Sequence, residues 1–307
     1  MHSISVANVP NEVQESPVPF ENIQVSTQTF TVKSNILDMN LEKFFDKIPL
    51  CKNNEAEIIN MKFQLQKKGV FEIPQSKKRI SRKKAPIDAV KQRNFLNCIS
   101  IVMIVDKKIN IKIFKNGVFQ ITGCRKQIDV TRCINLIFEQ LRLNIDVFTL
   151  RDRDTDFIIL IKSAMRNIDF SVNYKIDRSI LSNYLRSHTK YNAPPLSSTN
   201  MGVKMKIPFD IHDLPITRIV YHGDQQVVQD LLLRDCIDEL EPNKTRQKAK
   251  FENKFNNATI FQNGKVLMSC VDETFQREYY YWIANILIKN KKLFQLPEHV
   301  KKSFRLI

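Results

Sequence analysis

The 307-residue sequence predicts an α+β fold: two pseudo-symmetric repeats forming one antiparallel sheet, with helices on a single face. Three observations lead there. Asn110-Ile-Lys-Ile-Phe-Lys-Asn-Gly117 returns in degenerate form as Asn257-Ala-Thr-Ile-Phe-Gln-Asn-Gly264, and Asn110, Ile113, Phe114, Asn116 and Gly117 each recur at one common offset. Each copy is followed, at the same distance, by an amphipathic helical pattern. The strand patterns alternate apolar and polar side chains, as expected of a sheet covered on one side.

In order along the chain, residues 1–21 hold Pro10, Pro17 and Pro19 among polar residues and read as a flexible leader. Repeat one spans 22–150. It opens with a β-branched strand from Ile23 to Val32, then a short helix carrying Leu41, Phe44, Phe45 and Ile48. Asp38 or Asn40 caps this helix and Pro49 ends it. Glu57–Gln66 alternates Ile59, Met61, Phe63 and Leu65 as a half-buried strand. Residues 74–92, with two prolines and the run Lys77 to Lys84, read as an exposed basic loop. Strands follow over 95–105, 109–115 and 118–123. The Asn116-Gly117 pair predicts a two-residue hairpin turn with positive φ at both positions. Residues 129–143 then place Val130, Ile134, Ile137, Phe138 and Leu141 on one helical face.

Repeat two spans 151–296 in the same order. A strand over 157–174 precedes a helix over 177–187, strands over 202–209 and 216–221, and the second hairpin with Asn263-Gly264 at its turn. The helix over 275–288 shows Phe275, Tyr279, Trp282, Ile283 and Ile286, and residues 297–307 form a tail. Residues 223–255 are a long polar insertion with helical periodicity over 227–240. They serve either to dock a partner or merely as a surface excursion.

A hydrophobic fraction of 43% places the chain among ordinary globular proteins rather than disordered or membrane ones. The formal net charge of +16 points to a polyanionic partner, nucleic acid first among them. The six cysteines show no C-x-x-C spacing and fall mostly in apolar patterns, which argues against zinc and disulfides and for a reducing compartment. No apolar run is long enough to span a bilayer, and no secretory signal is visible at residues 1–21. No catalytic constellation is evident and no cofactor is implied. The five histidines form no i, i+4 pair, and only six glycines are present, none in a phosphate-binding loop. Asp152, Asp154 and Asp156 alternate between the repeats. They admit a Mg²⁺ nuclease site, against the plainer reading of a charged linker.

Alternation assigns the sheet faces. Ile109, Ile111, Ile113, Phe119 and Ile121 face the helices, as do Ala258, Ile260, Val266, Met268 and Cys270. The opposite face carries Asn110, Lys112, Phe114, Val118, Gln120 and Thr122 in the first hairpin. In the second it carries Asn257, Thr259, Phe261, Lys265, Leu267 and Ser269. That face is expected to stand open; a third layer or a partner chain over it is the competing expectation.

The order of elements, with Ile113-Phe-Lys-Asn-Gly117 and Thr122-Gly-Cys-Arg125 in the first copy, resembles the TATA-box-binding protein saddle. Ile260-Phe-Gln-Asn-Gly-Lys265 and Ser269-Cys270 carry the likeness in the second copy. Val25 to Thr29, Asn167 to Phe170, Lys175 to Arg178 and Gly202 to Pro208 look more specifically like the TATA-binding-like proteins of large nucleocytoplasmic DNA viruses. The resemblance covers roughly residues 22–294. It implies a curved sheet with helices on the convex face and a concave face that sits on the DNA minor groove, where phenylalanines wedge between base steps.

Phe114 and Phe261 match the motif phenylalanines. Phe95 stands near a further wedge position, at a spacing two longer than in cellular relatives, while Asn200 falls where repeat two would carry its counterpart. Thr122 and Ser269 match groove-facing threonines, with Gln120 and Leu267 on the same face; Lys112 and Thr259 replace leucines. Arg125, Lys126, Lys115 and Lys265 are candidate phosphate contacts at the rim. The resemblance further implies a monomeric, non-enzymatic viral initiation factor that binds and bends A·T-rich double-stranded DNA. Its implied partners are a transcription factor IIB-like protein and RNA polymerase subunits, with no membrane involved. Its implied place is the host nucleus or a cytoplasmic virus factory, with packaging in the virion. A saddle-fold interaction module without sequence-specific DNA binding is the alternative.

Overall fold

In chain order the strands are β1 (Val25–Ser34), β2 (Ile36–Met39), β3 (Glu57–Phe63), β4 (Gln66–Gly69), β5 (Cys98–Ile104), β6 (Lys108–Phe114), β7 (Val118–Cys124), β8 (Phe148–Leu150), β9 (Phe157–Ser171), β10 (Gly202–Pro208), β11 (Pro215–His222), β12 (Gln225–Leu232), β13 (Phe255–Phe261) and β14 (Lys265–Cys270). The helices are α1 (Leu41–Lys47), α2 (Gln127–Leu143), α3 (Arg178–His188), α4 (Leu233–Leu240), α5 (Lys244–Phe251), α6 (Glu273–Lys289) and α7 (Lys291–Phe294). This computed structural model describes residues 16–69, 97–151, 156–191, 193–195, 202–223, 225–252 and 254–297. The basic loop at 74–92, Phe95, Asn200, Asp152 and Asp154 lie outside them. So do most of the leader and almost all of the tail.

The architecture is α+β with antiparallel strand pairing, as the alternation predicted. The chain divides into two compact units. The larger comprises Thr27–Arg166 and Asp210–Glu252; the smaller comprises Met1–Ser26, Asn167–Phe209 and Asn253–Ile307.

In the larger unit the strands run in the order β4-β3-β5-β6-β7-β1, followed by the first part of β9, then β11 and β12. Ile109, Ile111, Ile113, Phe119 and Ile121 are all at most 1% exposed, in one core with Phe44 of α1 and Ile134 and Leu141 of α2. The sheet therefore buries the face that the alternation assigned to the helices. Residues 57–66 behave differently. A register shift between Ile58 and Asn60 turns Ile58 into the core in place of Ile59, and Leu65 is exposed in the turn to β4. In the smaller unit the order is β10-β13-β14 and then the second part of β9. Its core joins Ala258, Ile260, Val266, Met268 and Cys270 to Ile283 and Leu287 of α6 and Leu181 of α3.

The hairpin turns depart from the expected geometry. Among the described residues Gln64 is the one non-glycine with positive φ, so Asn116 and Asn263 keep ordinary negative φ. Instead Gly117 N–H donates to the Phe114 carbonyl at 3.1 Å, and Gly264 N–H to the Phe261 carbonyl at 3.0 Å. The left-handed step falls on Gly117 (φ 70°) and Gly264 (φ 87°) alone. This is the three-residue loop, a four-residue turn whose last residue is the left-handed glycine. A shared contact accompanies the longer loop. In the larger unit Ser34 N–H donates to the Gly117 carbonyl (3.0 Å) and Met39 N–H to the Lys115 carbonyl (2.8 Å). In the smaller unit Val172 N–H donates to Gly264 (3.0 Å) and Ile176 N–H to Gln262 (2.8 Å). The hairpin tip thus anchors the strand-to-helix connection of its own repeat, by the same two hydrogen bonds in each.

Of the two cap candidates for α1, Asn40 is the one used: its Oδ1 accepts from Lys43 N–H at 3.0 Å. Asp177 caps α3 through Ser179 N–H (2.8 Å) and Ile180 N–H (3.1 Å). Asp177→Ala should cost about 1 kcal/mol, because two amides lose their acceptor; a lower midpoint in urea at unchanged slope checks it.

The 223–255 stretch is not helical from its start. Gln225–Leu232 is strand β12, paired residue for residue with β11, and helix begins only at Leu233. Val227 and Val228 favour extended backbone, and a tight turn with Gly223 at positive φ brings them beside a partner strand, which overrides helical spacing. β11 in turn pairs with β9 from Ile216↔Lys162 to Tyr221↔Phe157. The Tyr221 ring lies 3.8 Å from that of Phe138, and its hydroxyl donates to Asn135 Oδ1 at 2.7 Å. The excursion at 210–252 belongs to the larger unit, with Thr27–Arg166.

Candidate nucleic-acid interface

Directly opposed residues of an antiparallel pair point to the same side, so the register defines the face away from the helices. In the larger unit Asn110 opposes Thr122 and Lys112 opposes Gln120. Thr29, Thr31 and Lys33 of β1 oppose Thr122, Gln120 and Val118. Cys98 and Ser100 of β5 oppose Phe114 and Lys112. The structure therefore brings Phe114, Lys112, Gln120 and Thr122 together on one face. Phe114, Lys112 and Thr122 are half-buried and Gln120 is exposed. Thr122 Oγ1 lies 3.5 Å from Thr29 Oγ1.

In the smaller unit Thr259 opposes Leu267 and Asn257 opposes Ser269. Across the other edge of β13, Lys204 opposes Thr259 and Gly202 opposes Phe261. Phe261, Thr259, Leu267 and Ser269 are all half-buried. Gly202 was not singled out from sequence. A Cβ built there would sit 3.4 Å from Phe261 Cδ1 and 3.2 Å from Thr259 Cγ2, so its missing side chain leaves the ring room beside the strand. Its place one strand from the repeated phenylalanine was the signal available.

The rim cations vary. Arg125 is exposed, and its amide and that of Lys126 donate to the Asp129 carboxylate (2.8 and 3.1 Å), fixing the Thr122–Arg125 run to the start of α2. Lys115 Nζ lies 3.4 Å from Asp38, and Lys265 Nζ lies 2.9 Å from Asp169. Both pairs are solvent-exposed, where an ion pair adds little, so a phosphate can replace the carboxylate. Asp156 accepts from His222 Nδ1 at 2.9 Å, and among the described residues no three metal-ligating side chains gather. No described cysteine forms a disulfide; burial pushes the Cys124 thiol up to about 12, far from thiolate chemistry. No described helix is long and apolar enough to cross a membrane.

The face of the larger unit is not open throughout. Ile159 and Ile161 point into the helix-side core, so Leu160 between them faces the other way, with Lys33; yet Leu160 is 4% exposed. The end of α4 stands beside it: Glu239 lines the same cavity as Lys33 and Leu160. Lys33 Nζ donates to the carbonyls of Glu239 (2.9 Å) and Leu240. The competing expectation of a further layer is thus met over one part of this face, by a segment of the chain itself. The amphipathic run Leu233, Cys236, Ile237, Leu240 was its sequence signal: an apolar stripe that has to rest on something.

Over 187 residues the sequence is 30% identical to a TATA-box-binding protein-like protein of Acanthamoeba polyphaga mimivirus, covering 56% of this chain and 47% of that one. Over 300 residues it is 22% identical to the uncharacterized protein 335L of Invertebrate iridescent virus 6, covering 88% of this chain and 86% of that one. The chain is related to these proteins of large DNA viruses. Its match spans about half the length (47%) of the mimivirus relative. No family model matches. Among solved structures, the TBP of Methanococcus jannaschii aligns over 89% of this chain and 99% of that chain, at 10% identity and a TM-score of 0.44.

Proposed function

We propose that this chain is a non-enzymatic, TATA-binding-like initiation factor that binds A·T-rich promoter DNA in the minor groove and bends it. One observation carries the reading. The duplicated hairpin sets Phe114 and Phe261 at equivalent places, half-exposed, on the face turned away from the helices in each unit. A phenyl ring in that position can enter an opened base step. The few kcal/mol lost in unstacking is offset only if the bend brings polar groups such as Gln120, Thr122, Thr259 and Ser269 against the groove. Those groups distinguish A·T from G·C edges and little more, leaving finer specificity to easily opened TA steps. The net charge of +16 and the mimivirus relative's description support the same reading. The helix-covered faces would then recruit a transcription factor IIB-like protein and RNA polymerase.

The test is a titration of A·T-rich and G·C-rich duplexes at several salt concentrations. The A·T-rich duplex should bind more tightly, with log K falling linearly in log salt by about 0.9 per phosphate contacted. A second reading, an interaction module without sequence-specific DNA binding, is favoured by one feature: α4 already occupies part of the face, over Lys33 and Leu160. Absence of any duplex binding at low salt would decide for it.

A further inference from the structure

We propose that the helical part of the excursion, residues 233–252, is a built-in cover that must leave the sheet before DNA can occupy this face. The inference rests on the DNA-binding reading above and adds how that face is controlled.

Among the described residues the cover meets Lys33 of β1, Lys162 of β9 and Arg218 of β11. Lys33, on the same face as Gln120 and Thr122, holds the C-terminal end of α4 by donating to two of its last carbonyls, which no helical amide can satisfy. Lys33, Leu160 and Arg218 line one cavity together with Glu239 of α4. Glu239 lies 3.5 Å from Arg218 of β11, with both side chains partly exposed. Lys162 Nζ sits 5.2 Å from the ring centre of Phe251, at the end of α5. Beyond these points α4 packs chiefly on β12 and on the turn at 211–213, which are parts of the excursion itself. Leu233 N–H bonds the Leu214 carbonyl, and Arg234 pairs with Asp213 at 2.6 Å.

The segment is also weakly built as helix. α4 has eight residues and is broken by non-helical angles at Cys236 (φ −130°, ψ 16°), and α5 is another eight residues, with Lys244, Thr245, Arg246 and Lys248 exposed. Helices this short do not persist in water without packing. A helix is about 10 Å across, so while α4 lies over Lys33 and Leu160 no groove edge can reach hydrogen-bonding distance of the sheet there. Apparent DNA affinity is then the intrinsic affinity multiplied by the uncovered fraction.

The experiment uses the full chain with a short A·T-rich duplex and two readouts: affinity, and hydrogen exchange of the 233–252 amides. Lys33→Met keeps the aliphatic stem and removes the donor to α4. It should bind the duplex about tenfold more tightly despite losing a positive charge, and Glu239→Gln should shift affinity the same way. In the unmodified chain, adding DNA should lower protection across 233–252. Weaker binding by Lys33→Met, with its folding confirmed by thermal unfolding, would make Lys33 a plain phosphate contact and overturn the cover. Duplex binding with unchanged or increased protection of 233–252 would also overturn it, leaving the DNA reading intact. If no form binds duplex at low salt, the DNA reading falls first and the cover's role falls with it.

Discussion

Replacing Phe114 and Phe261 together by alanine should leave the chain folded and abolish duplex bending. Both rings are half-buried on the faces turned away from the core, and neither belongs to a buried core cluster. Their loss therefore costs less than the about 3–5 kcal/mol of a fully buried phenylalanine. Without the wedges nothing offsets the unstacking, the duplex stays straight, and contacts that need the bend are not made. Affinity for an A·T-rich core should fall by at least about tenfold, or roughly 1.4 kcal/mol, while binding to arbitrary duplex through the rim cations persists. Each single variant should bend DNA partially. Fluorescence transfer between dyes at the duplex ends reads the bend directly, and full bending by the double variant would remove the wedge mechanism.

The hairpin glycines Gly117 and Gly264 should tolerate replacement poorly. At Gly117 a Cβ would stand 2.6 Å from Ile36 Cβ and from Ser34 Oγ, and at Gly264 it would stand 2.6 Å from the carbonyl oxygens of Val172 and Tyr174. Left-handed backbone alone costs a non-glycine residue about 1–2 kcal/mol. Displacing packed backbone or side chains adds about 1–3 kcal/mol more. Gly117→Ala and Gly264→Ala are thus expected to cost about 2–5 kcal/mol each. Gly223 separates the two contributions, since it also has positive φ (57°) but has no atom within 4 Å of the built Cβ. Gly223→Ala should lose only the backbone part, about 1–2 kcal/mol. Equal losses at all three sites in chemical denaturation would show that the close approach in the hairpins matters little.

Much of this was legible in the sequence because period-two alternation reports burial on a one-sided sheet. Ile109, Ile111, Ile113, Phe119 and Ile121 face the core because any other register would bury Lys112 and Gln120. Phe114 and Phe261 follow on the other face by the same rule. The Asn-Gly turns were located but given the wrong geometry. Dipeptide preference describes an isolated two-residue hairpin, whereas here the tip is pulled into hydrogen bonds with Ser34 and Met39, or with Val172 and Ile176. The register shift at Ile58/Asn60 moved the core contact from Ile59 to Ile58, and one inserted residue leaves no local signature.

By itself the sequence determined the duplication, the class of fold, and which side of each hairpin strand meets the helices, since these follow from local periodicity and its recurrence. Only the tertiary structure decided where residues 210–252 go. Their strand pairs with β9, from Ile216↔Lys162 to Tyr221↔Phe157, far back along the chain, and their helix ends beside Lys33 and Leu160. An amphipathic stripe states that it must be covered. Which surface covers it depends on long-range pairing, and the pattern of one segment carries no information about the identity of its partner.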